Sequence, residues 1–90
     1  MESYRSKDFR KLYDRLPLTA RRAVRRSYVK WRRDPFDPSL EGRRLQGKSE
    51  YYRVEILGKQ YRAVALVRGH VYVWLWVGTH ADYNSFIYQL

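Results

Sequence analysis

The order of hydrophobic and polar residues divides the chain into a helical first half and a strand-forming second half. Between positions 7 and 16, apolar residues recur every three to four positions, the spacing of one helix face, and Ser6 suits the N-cap position. This spacing predicts a short amphipathic helix. Pro17 ends it and suits the start of a second amphipathic helix, which is predicted to run to Arg33.

Three runs of alternating β-branched and aromatic residues follow, over 51–57, 61–68 and 71–77. The links Gly58-Lys59 and Gly69-His70 have the composition that closes β-hairpins. Residues 34–49 contain Pro and Gly and are predicted to form a loop, while residues 2–5 are a candidate for a further strand. The predicted fold class is α+β, an N-terminal helical hairpin packed on an antiparallel β-meander of three to four strands, in one domain over residues 1–90.

Two-residue hairpin loops would fix the pairing of the strands. Glu55 then faces Arg62 across the first hairpin, and Ala63 faces Trp76 across the second. One face is expected to pack on the helices and holds Tyr52, Val54, Ile56, Tyr61, Ala63, Ala65, Tyr72, Trp74 and Trp76. The other face holds Arg53, Glu55, Arg62, Val64, Leu66, Val73, Leu75 and Val77. His80 follows three residues after Val77, so we predict that it emerges in a short loop near Arg62 and Glu55.

The basic residues are concentrated in the first half of the chain. The net charge is +10, and residues 1–48 hold 15 of the 19 Lys and Arg residues but 6 of the 9 Asp and Glu residues. Such a field favours polyanionic partners. The polar face of the second predicted helix carries much of this charge, through Arg21, Arg22, Arg25, Arg26, Lys30, Arg32 and Arg33.

Composition also indicates where the protein works. The chain has no cysteine, which fits a reducing cytoplasm. Its longest apolar run, 71–77, is far shorter than the roughly 20 residues of a membrane span, and the N-terminus lacks the apolar segment of a secretory signal. We predict a soluble, cytoplasmic protein without a membrane partner.

Four residue types near the predicted hairpins suit cleavage of RNA. A phosphodiester beside a 2′-hydroxyl can be cut when one group takes the hydroxyl proton, another protonates the leaving oxygen, and a cation stabilises the phosphorane. His80, Arg62, Glu55 and Tyr83 supply these types, since histidine suits proton transfer, arginine matches phosphate geometry, and tyrosine stacks on bases or hydrogen-bonds a phosphate. The two histidines lack companions for a metal site, so we predict no metal and no cofactor.

Each of these residues also has a structural interpretation, which the sequence leaves open. A histidine after a strand is often structural, and Arg62 opposite Glu55 fits a cross-strand ion pair. Tyr83 could anchor a C-terminal turn by packing with Phe86. The helix arginines could be a solvated face.

Four segments resemble the RelE/ParE superfamily of bacterial and archaeal type II toxins. They are the LP bend at Leu16-Pro17, the pattern DP-x-x-P-x-L-x-G-x-x-L-x-G over 34–47, the strand pair YRV and YRA at 52–54 and 61–63, and WVGTHADY over 76–83. The resemblance covers nearly the whole chain and implies a toxin neutralised by a cognate antitoxin. Ribonuclease members of the YafQ-like type end in a GTHA segment with a catalytic histidine, which carries over to His80. The second-strand arginine of RelE-like nucleases binds phosphate, which carries over to Arg62.

The resemblance and the residues together predict a ribosome-dependent, metal-independent mRNA endonuclease that inhibits translation. Its catalytic residues would be His80, Arg62, Glu55 and Tyr83, and RNA would be bound by Arg21, Arg22, Arg25, Arg26, Lys30, Arg53 and Arg68. The expected partners are an acidic antitoxin, ribosomal RNA and mRNA, with operator DNA reached only through the antitoxin. Valine and leucine on the face that carries Arg62 are expected to contribute to the antitoxin site. The alternatives are a ParE-like DNA gyrase poison and a catalytically silent RelE-like binding module.

Overall fold

A computed structural model describes all 90 residues of the chain. Three helices and five strands follow one another in the order β1 (Glu2–Arg5), α1 (Lys7–Asp14), α2 (Leu18–Arg33), a 3₁₀ helix (Pro38–Leu40), β2 (Arg43–Leu45), β3 (Lys48–Ile56), β4 (Tyr61–Arg68), β5 (Val71–Thr79) and α3 (His80–Tyr88). No helix has the length and apolar character needed to cross a membrane.

The five strands form one sheet in the order β1-β5-β4-β3-β2. β3, β4 and β5 form the antiparallel meander that the sequence predicts, and β1 is the further strand, paired in parallel with β5. The prediction of a loop over 34–49 was wrong in part, because this segment contains the 3₁₀ helix and the short strand β2, paired with β3. Three residues are too few to produce a recognisable alternation, which explains why composition alone suggested a loop.

Both predicted N-terminal helices are confirmed. Ser6 caps α1 by accepting a hydrogen bond from the backbone N–H of Phe9, although α1 ends at Asp14, two residues earlier than predicted. Only three residues separate α1 from α2. Apolar residues of both helices pack into the main core, and Trp31 of α2 lies edge-on to Trp74 at a centroid distance of 5.1 Å.

The sheet therefore has two distinct faces. The hairpin face packs against α1 and α2 and includes Tyr52, Val54, Ile56, Ala63, Ala65, Val67, Trp74 and Val77. The opposite face, here called the Arg62 face, carries Arg53, Glu55, Arg62, Val64 and Trp76. The predicted position of Arg62 on the side away from the N-terminal helices is confirmed.

A β-bulge in β5 changes the predicted register. Ala65 pairs with Trp74, but Val64, the residue before Ala65 in β4, pairs with Trp76, so Leu75 is an extra residue in β5. Ala63 consequently faces Val77 rather than Trp76. Because side chains alternate along a strand, the extra residue moves Trp76 to the Arg62 face and Val77 to the hairpin face, and the predicted faces of both residues were wrong.

The C-terminal segment is a helix rather than the predicted loop and turn. Thr79 caps α3 by accepting a hydrogen bond from the backbone N–H of Asp82 at 3.1 Å. α3 packs on the Arg62 face, where Phe86 stacks on Trp76 at a centroid distance of 5.0 Å and Tyr83 is buried beside it. The helix was missed because its packing partner, Trp76, was predicted to lie on the other face.

Gly78 provides a test of this packing. An added Cβ at Gly78 would lie 2.6 Å from Cζ2 of Trp76, closer than atoms can approach without a shift. We expect Gly78→Ala to lower the free energy of unfolding by about 1 to 2 kcal/mol, because overpacking outweighs the roughly 0.4–1 kcal/mol gained from a stiffer unfolded chain. Urea denaturation measures this change. Ser85→Ala, at an exposed position of α3, is the control, and a Gly78→Ala protein of unchanged stability would contradict the close packing of Trp76.

Candidate nucleic-acid interface on the Arg62 face

Glu55 is the buried acidic centre of the Arg62 face. It lies in β3 directly opposite Arg62 in β4, and its side chain is only 5% exposed. Arg62 Nε donates a hydrogen bond to Glu55 Oε1, and Nη1 of Arg53 lies 3.4 Å from the same oxygen. The predicted cross-strand pairing of Glu55 with Arg62 is confirmed as an ion pair, and Glu55 holds a second arginine as well.

Tyr83 covers the guanidinium of Arg62 from the other side. The guanidinium carbon lies 4.5 Å from the centroid of the Tyr83 ring, a cation–π contact. The ring comes from α3, which explains how a residue so distant in sequence reaches β4. Glu55 and Tyr83 together fix the position of Arg62, whose side chain is 14% exposed.

A basic cleft of about 480 Å³ lies beside this cluster, between α3 and the β2–β3 edge of the sheet. Its lining includes the cations Arg43, Arg44, Lys48 and Arg53, together with Tyr83, and no acidic residue. Nζ of Lys48 donates to the backbone oxygen of Ile87 at 3.0 Å and so ties β3 to the end of α3. Four cations around one concave surface favour the binding of phosphate groups.

Sequence reasoning missed three of these four cations. Arg43, Arg44 and Lys48 fell within the segment that was predicted to be a loop, and only Arg53 was a candidate for RNA contact. The dense basic spacing over 43–48 was the available signal. These cations could not be assigned to a surface beside Arg62 before the pairing of β2 with β3 was known.

The predicted catalytic residues are brought together only in part. Glu55, Arg62 and Tyr83 are in contact, whereas His80 stands apart as the exposed first residue of α3. Its backbone N–H donates to the oxygen of Gln60 at 3.0 Å, and its side chain makes no hydrogen bond or ion pair within the chain. His80 therefore lies just past the end of β5, two residues beyond the Gly78–Arg62 pair, makes no hydrogen bond or ion pair with Arg62 or Glu55, and is not part of the lining of the basic cleft.

The remaining predicted RNA contacts lie elsewhere. Arg22, Arg25, Arg26 and Lys30 are exposed on α2 and form the helix basic surface, on the opposite side of the sheet from the cleft. Arg21 is half-buried beside them. Arg68 is six residues from Arg62 along β4, a separation of about 20 Å, so the two cannot bind one phosphate.

The arrangement makes Glu55 a positioning group for two arginines. We expect Glu55→Gln to lower the free energy of unfolding by about 1 to 3 kcal/mol, because it removes the charge that both guanidinium groups face; partial exposure of the arginines keeps the loss below that of a fully buried pair. Urea denaturation measures it. Glu41→Gln is the matched control, since Glu41 pairs with Lys59 in solvent, where such a pair contributes less than about 1 kcal/mol. Equal effects of the two substitutions would contradict the role given to Glu55.

Known proteins share this fold. The chain resembles the RelE toxin in a RelB-RelE antitoxin-toxin complex from Methanococcus jannaschii, with a TM-score of 0.75 and 18% sequence identity, over 92% of this chain and 96% of that one. The isolated E. coli RelE toxin superposes with a TM-score of 0.68 and 18% identity, over 98% and 96% of the two chains. A copper-bound mutant toxin from Helicobacter pylori gives 0.69 and 23%, over 91% and 97%. At these identities, the likenesses show the fold alone.

A family model identifies the chain more directly. No curated protein sequence matches it. The model of the ParE-like toxin domain matches residues 18–85, which include α2, the whole meander and most of α3. The chain therefore belongs to the ParE-like toxin domain family, within the RelE/ParE superfamily of toxins.

Proposed function

We propose that this protein is the toxin of a type II toxin–antitoxin system and that it cleaves mRNA on the ribosome, without a metal ion, through the 2′-hydroxyl of the RNA. The observation that carries the proposal is the basic cleft, which lies next to an arginine held in place by Glu55 and Tyr83. A site of this kind favours a polyanion and offers a fixed cation at the point where charge develops.

Arg62 would stabilise the scissile phosphate. Glu55 binds its Nε, and both terminal nitrogens of the guanidinium have no hydrogen-bond partner within the chain. These two donors match a pair of phosphate oxygens. Glu55 would act by orienting Arg62 and Arg53, since one oxygen of its buried carboxylate binds both of them. Tyr83 would contact the base or phosphate from the cleft side.

The reaction needs proton transfer as well as charge stabilisation. The 2′-hydroxyl gives up its proton as its oxygen bonds to phosphorus, the bond from phosphorus to the 5′-oxygen breaks, and the 5′-oxygen takes up a proton, which leaves a 2′,3′-cyclic phosphate and a 5′-hydroxyl. His80 is the group that we propose to transfer a proton, because its exposed imidazole is not engaged by any other residue of the chain. It would meet the substrate at the end of β5, where the strand passes beside Arg62.

The two basic regions would have separate tasks. The helix basic surface lies on the other side of the sheet from the cleft, so both can be engaged at once. We assign ribosomal RNA to the helix basic surface and mRNA to the cleft. Arg68 would contact RNA outside the cleavage site, because it lies far from Arg62 along β4.

The proposed antitoxin is acidic and binds the toxin directly, and operator DNA would be reached through it. The net charge of +10 favours such a partner, and the RelE toxin of Methanococcus jannaschii is in a complex with the antitoxin RelB. The Arg62 face is only partly open, because α3 covers Val64, which is fully buried, while Leu66, Val73 and Leu75 remain partly exposed. A mainly apolar cavity of about 280 Å³ under α1 and α2 is the better candidate.

A ParE-like gyrase poison is the alternative that a specific observation favours, because the matching family model is that of the ParE-like toxin domain. Expression in bacteria separates the possibilities. The proposed nuclease stops protein synthesis, a gyrase poison induces DNA damage, and a silent binding module leaves growth unchanged. Mapping of mRNA 5′ ends after induction identifies cleavage directly.

The catalytic assignment predicts the effect of two substitutions. We expect His80→Ala and Arg62→Ala each to slow single-turnover mRNA cleavage on programmed ribosomes by about 10²- to 10⁴-fold, because each removes a group that acts in the transition state. The combined loss should be smaller than the product of the single losses, since both groups act on one transition state.

Two controls accompany these variants. His70→Ala replaces the other histidine, exposed in the β4–β5 turn, and should cleave normally. Arg62 is more buried than the sequence suggested, so thermal melts and the conservative variant Arg62→Lys separate loss of chemistry from loss of folding. Normal cleavage by a folded His80→Ala protein would remove His80 from the mechanism.

The antitoxin proposal predicts a salt-dependent encounter. The association rate of toxin and antitoxin should fall as ionic strength rises from 10 mM to about 150 mM, because the Debye length shortens from about 30 Å to about 8 Å. Stopped-flow measurements test this. A rate that does not change with salt would show that the basic charge of the toxin has no part in the encounter.

A further inference from the structure

The loop between α2 and β2 presents one aromatic ring to solvent. Phe36 lies in the segment Asp34-Pro35-Phe36-Asp37-Pro38, and 89% of its surface is exposed. An isolated exposed apolar residue needs no explanation by itself. Two further features of Phe36 do require an explanation. These are the stiffness of its loop and the cations beside it.

Hydrogen bonds fix the loop that carries Phe36. The backbone N–H of Phe36 donates to a side-chain oxygen of Asp34 at 2.9 Å, and the N–H of Asp37 donates to the backbone oxygen of Asp34 at 3.1 Å. Asp37 in turn accepts two hydrogen bonds from Ser39, which hold the pKa of this carboxyl below its usual value. The backbone that carries the ring is thus fixed by a turn with two prolines and several hydrogen bonds, so little backbone entropy would be lost on binding.

The far side of the loop is anchored in the protein. Leu40 is buried in the main core, and the hydroxyl of Tyr52 donates to the backbone oxygen of Pro35 at 3.4 Å. Burial raises the pKa of the Tyr52 phenol above its usual value. Lys30 of α2 donates to Ser39 at 2.9 Å. The loop is therefore braced from both α2 and the sheet.

Phe36 borders a second cleft that shares two cations with the basic cleft. This loop cleft, of about 650 Å³, is lined by Phe36, Tyr52, Arg43 and Arg44 among others, and Arg43 and Arg44 also line the basic cleft. The two clefts therefore meet at β2. The loop cleft also contains Tyr52 and Tyr72 of the hairpin face, so a strand that leaves Tyr83 would cross the β2 edge of the sheet, over Arg43 and Arg44, to reach Phe36.

We propose that Phe36 is a stacking platform for a base of single-stranded RNA whose phosphates lie on Arg43 and Arg44. The inference rests on the proposed function and extends its substrate path beyond the cleavage site. A ring needs only one open face to stack on a base, and every base has such a face, so the contact is independent of sequence. Backbone contacts from Arg43 and Arg44 would set the register of the strand.

The cations beside the ring favour RNA over a protein partner. The loop cleft combines aromatic rings, Phe36, Tyr52 and Tyr72, with the arginines Arg43 and Arg44, the pairing that single-stranded nucleic acid uses for its bases and phosphates. Of the acidic groups near the ring, Glu41 is paired with Lys59 at 3.4 Å, whereas Asp34 and Asp37 keep their charge and accept hydrogen bonds within the turn. The cations Arg43 and Arg44 face no carboxylate partner.

Fluorescence anisotropy with two probes tests the proposal. The probes are 2′-O-methyl oligoadenylate of about 12 nucleotides, which resists cleavage, and an abasic strand of equal length. We expect Phe36→Ala to weaken oligoadenylate binding by about 5- to 100-fold and to leave abasic binding unchanged, because stacking needs a base and phosphate contacts do not. Phe36→Trp should retain the affinity, and Phe36→Leu should lose most of it.

Tyr4→Ala is the matched control, since Tyr4 is an exposed aromatic residue on β1, at the other edge of the sheet. Oligoadenylate binding that is equal for Phe36→Ala and wild type, or a loss that is equal for both probes, overturns the inference. A Phe36→Ala protein that loses affinity for the antitoxin but not for RNA also overturns the inference, since Phe36 is then a protein contact. A base-dependent loss in a protein that cleaves no mRNA would support the stacking site and refute the nuclease, so the two failures are distinct.

Discussion

The β-bulge at Leu75 is the constraint on which the rest of the site depends. One extra residue in β5 turns Trp76 to the Arg62 face, where its indole ring becomes the surface on which Phe86 stacks. Without that ring, α3 would have little apolar surface to bury and no reason to lie across this side of the sheet. The position of α3 then places Tyr83 over Arg62 and closes one wall of the basic cleft. A local irregularity in one strand thus determines the shape of the proposed active site.

Electrostatics on the Arg62 face follow from a single buried carboxylate. A chain of net charge +10 that gathers arginines on adjacent strands would repel itself there unless an acceptor lay between them. Glu55 provides that acceptor and binds both Arg53 and Arg62 through one oxygen. This geometry supports the proposal that Glu55 orients the two arginines. The third residue in contact with Arg62 or Glu55 is Tyr83. Its aromatic ring stabilises the Arg62 guanidinium without neutralising the charge.

The distribution of charge over the molecule divides the proposed binding surfaces. The arginines of α2 lie on one side of the sheet, and the cleft cations lie on the other or at the β2 edge. The proposed nuclease would use these two surfaces for ribosomal RNA and for mRNA. The loop that carries Phe36 leaves the end of α2 and returns as β2, so it connects the helix layer with the cleft side of the molecule.

The sequence by itself determined both N-terminal helices, the three-stranded meander and the pairing of Glu55 with Arg62, because these depend on local periodicity and short turns. Its family resemblance is confirmed by the ParE-like domain match. Only the tertiary structure decided the face on which Trp76 lies, the existence of β2 and α3, and which residues line the basic cleft. A bulge has no clear sequence signal, a three-residue strand forms only because β3 offers an edge, and α3 is held by contacts with residues distant along the chain. For the same reason Arg43, Arg44 and Lys48 could be recognised as one surface only after the chain had folded around them.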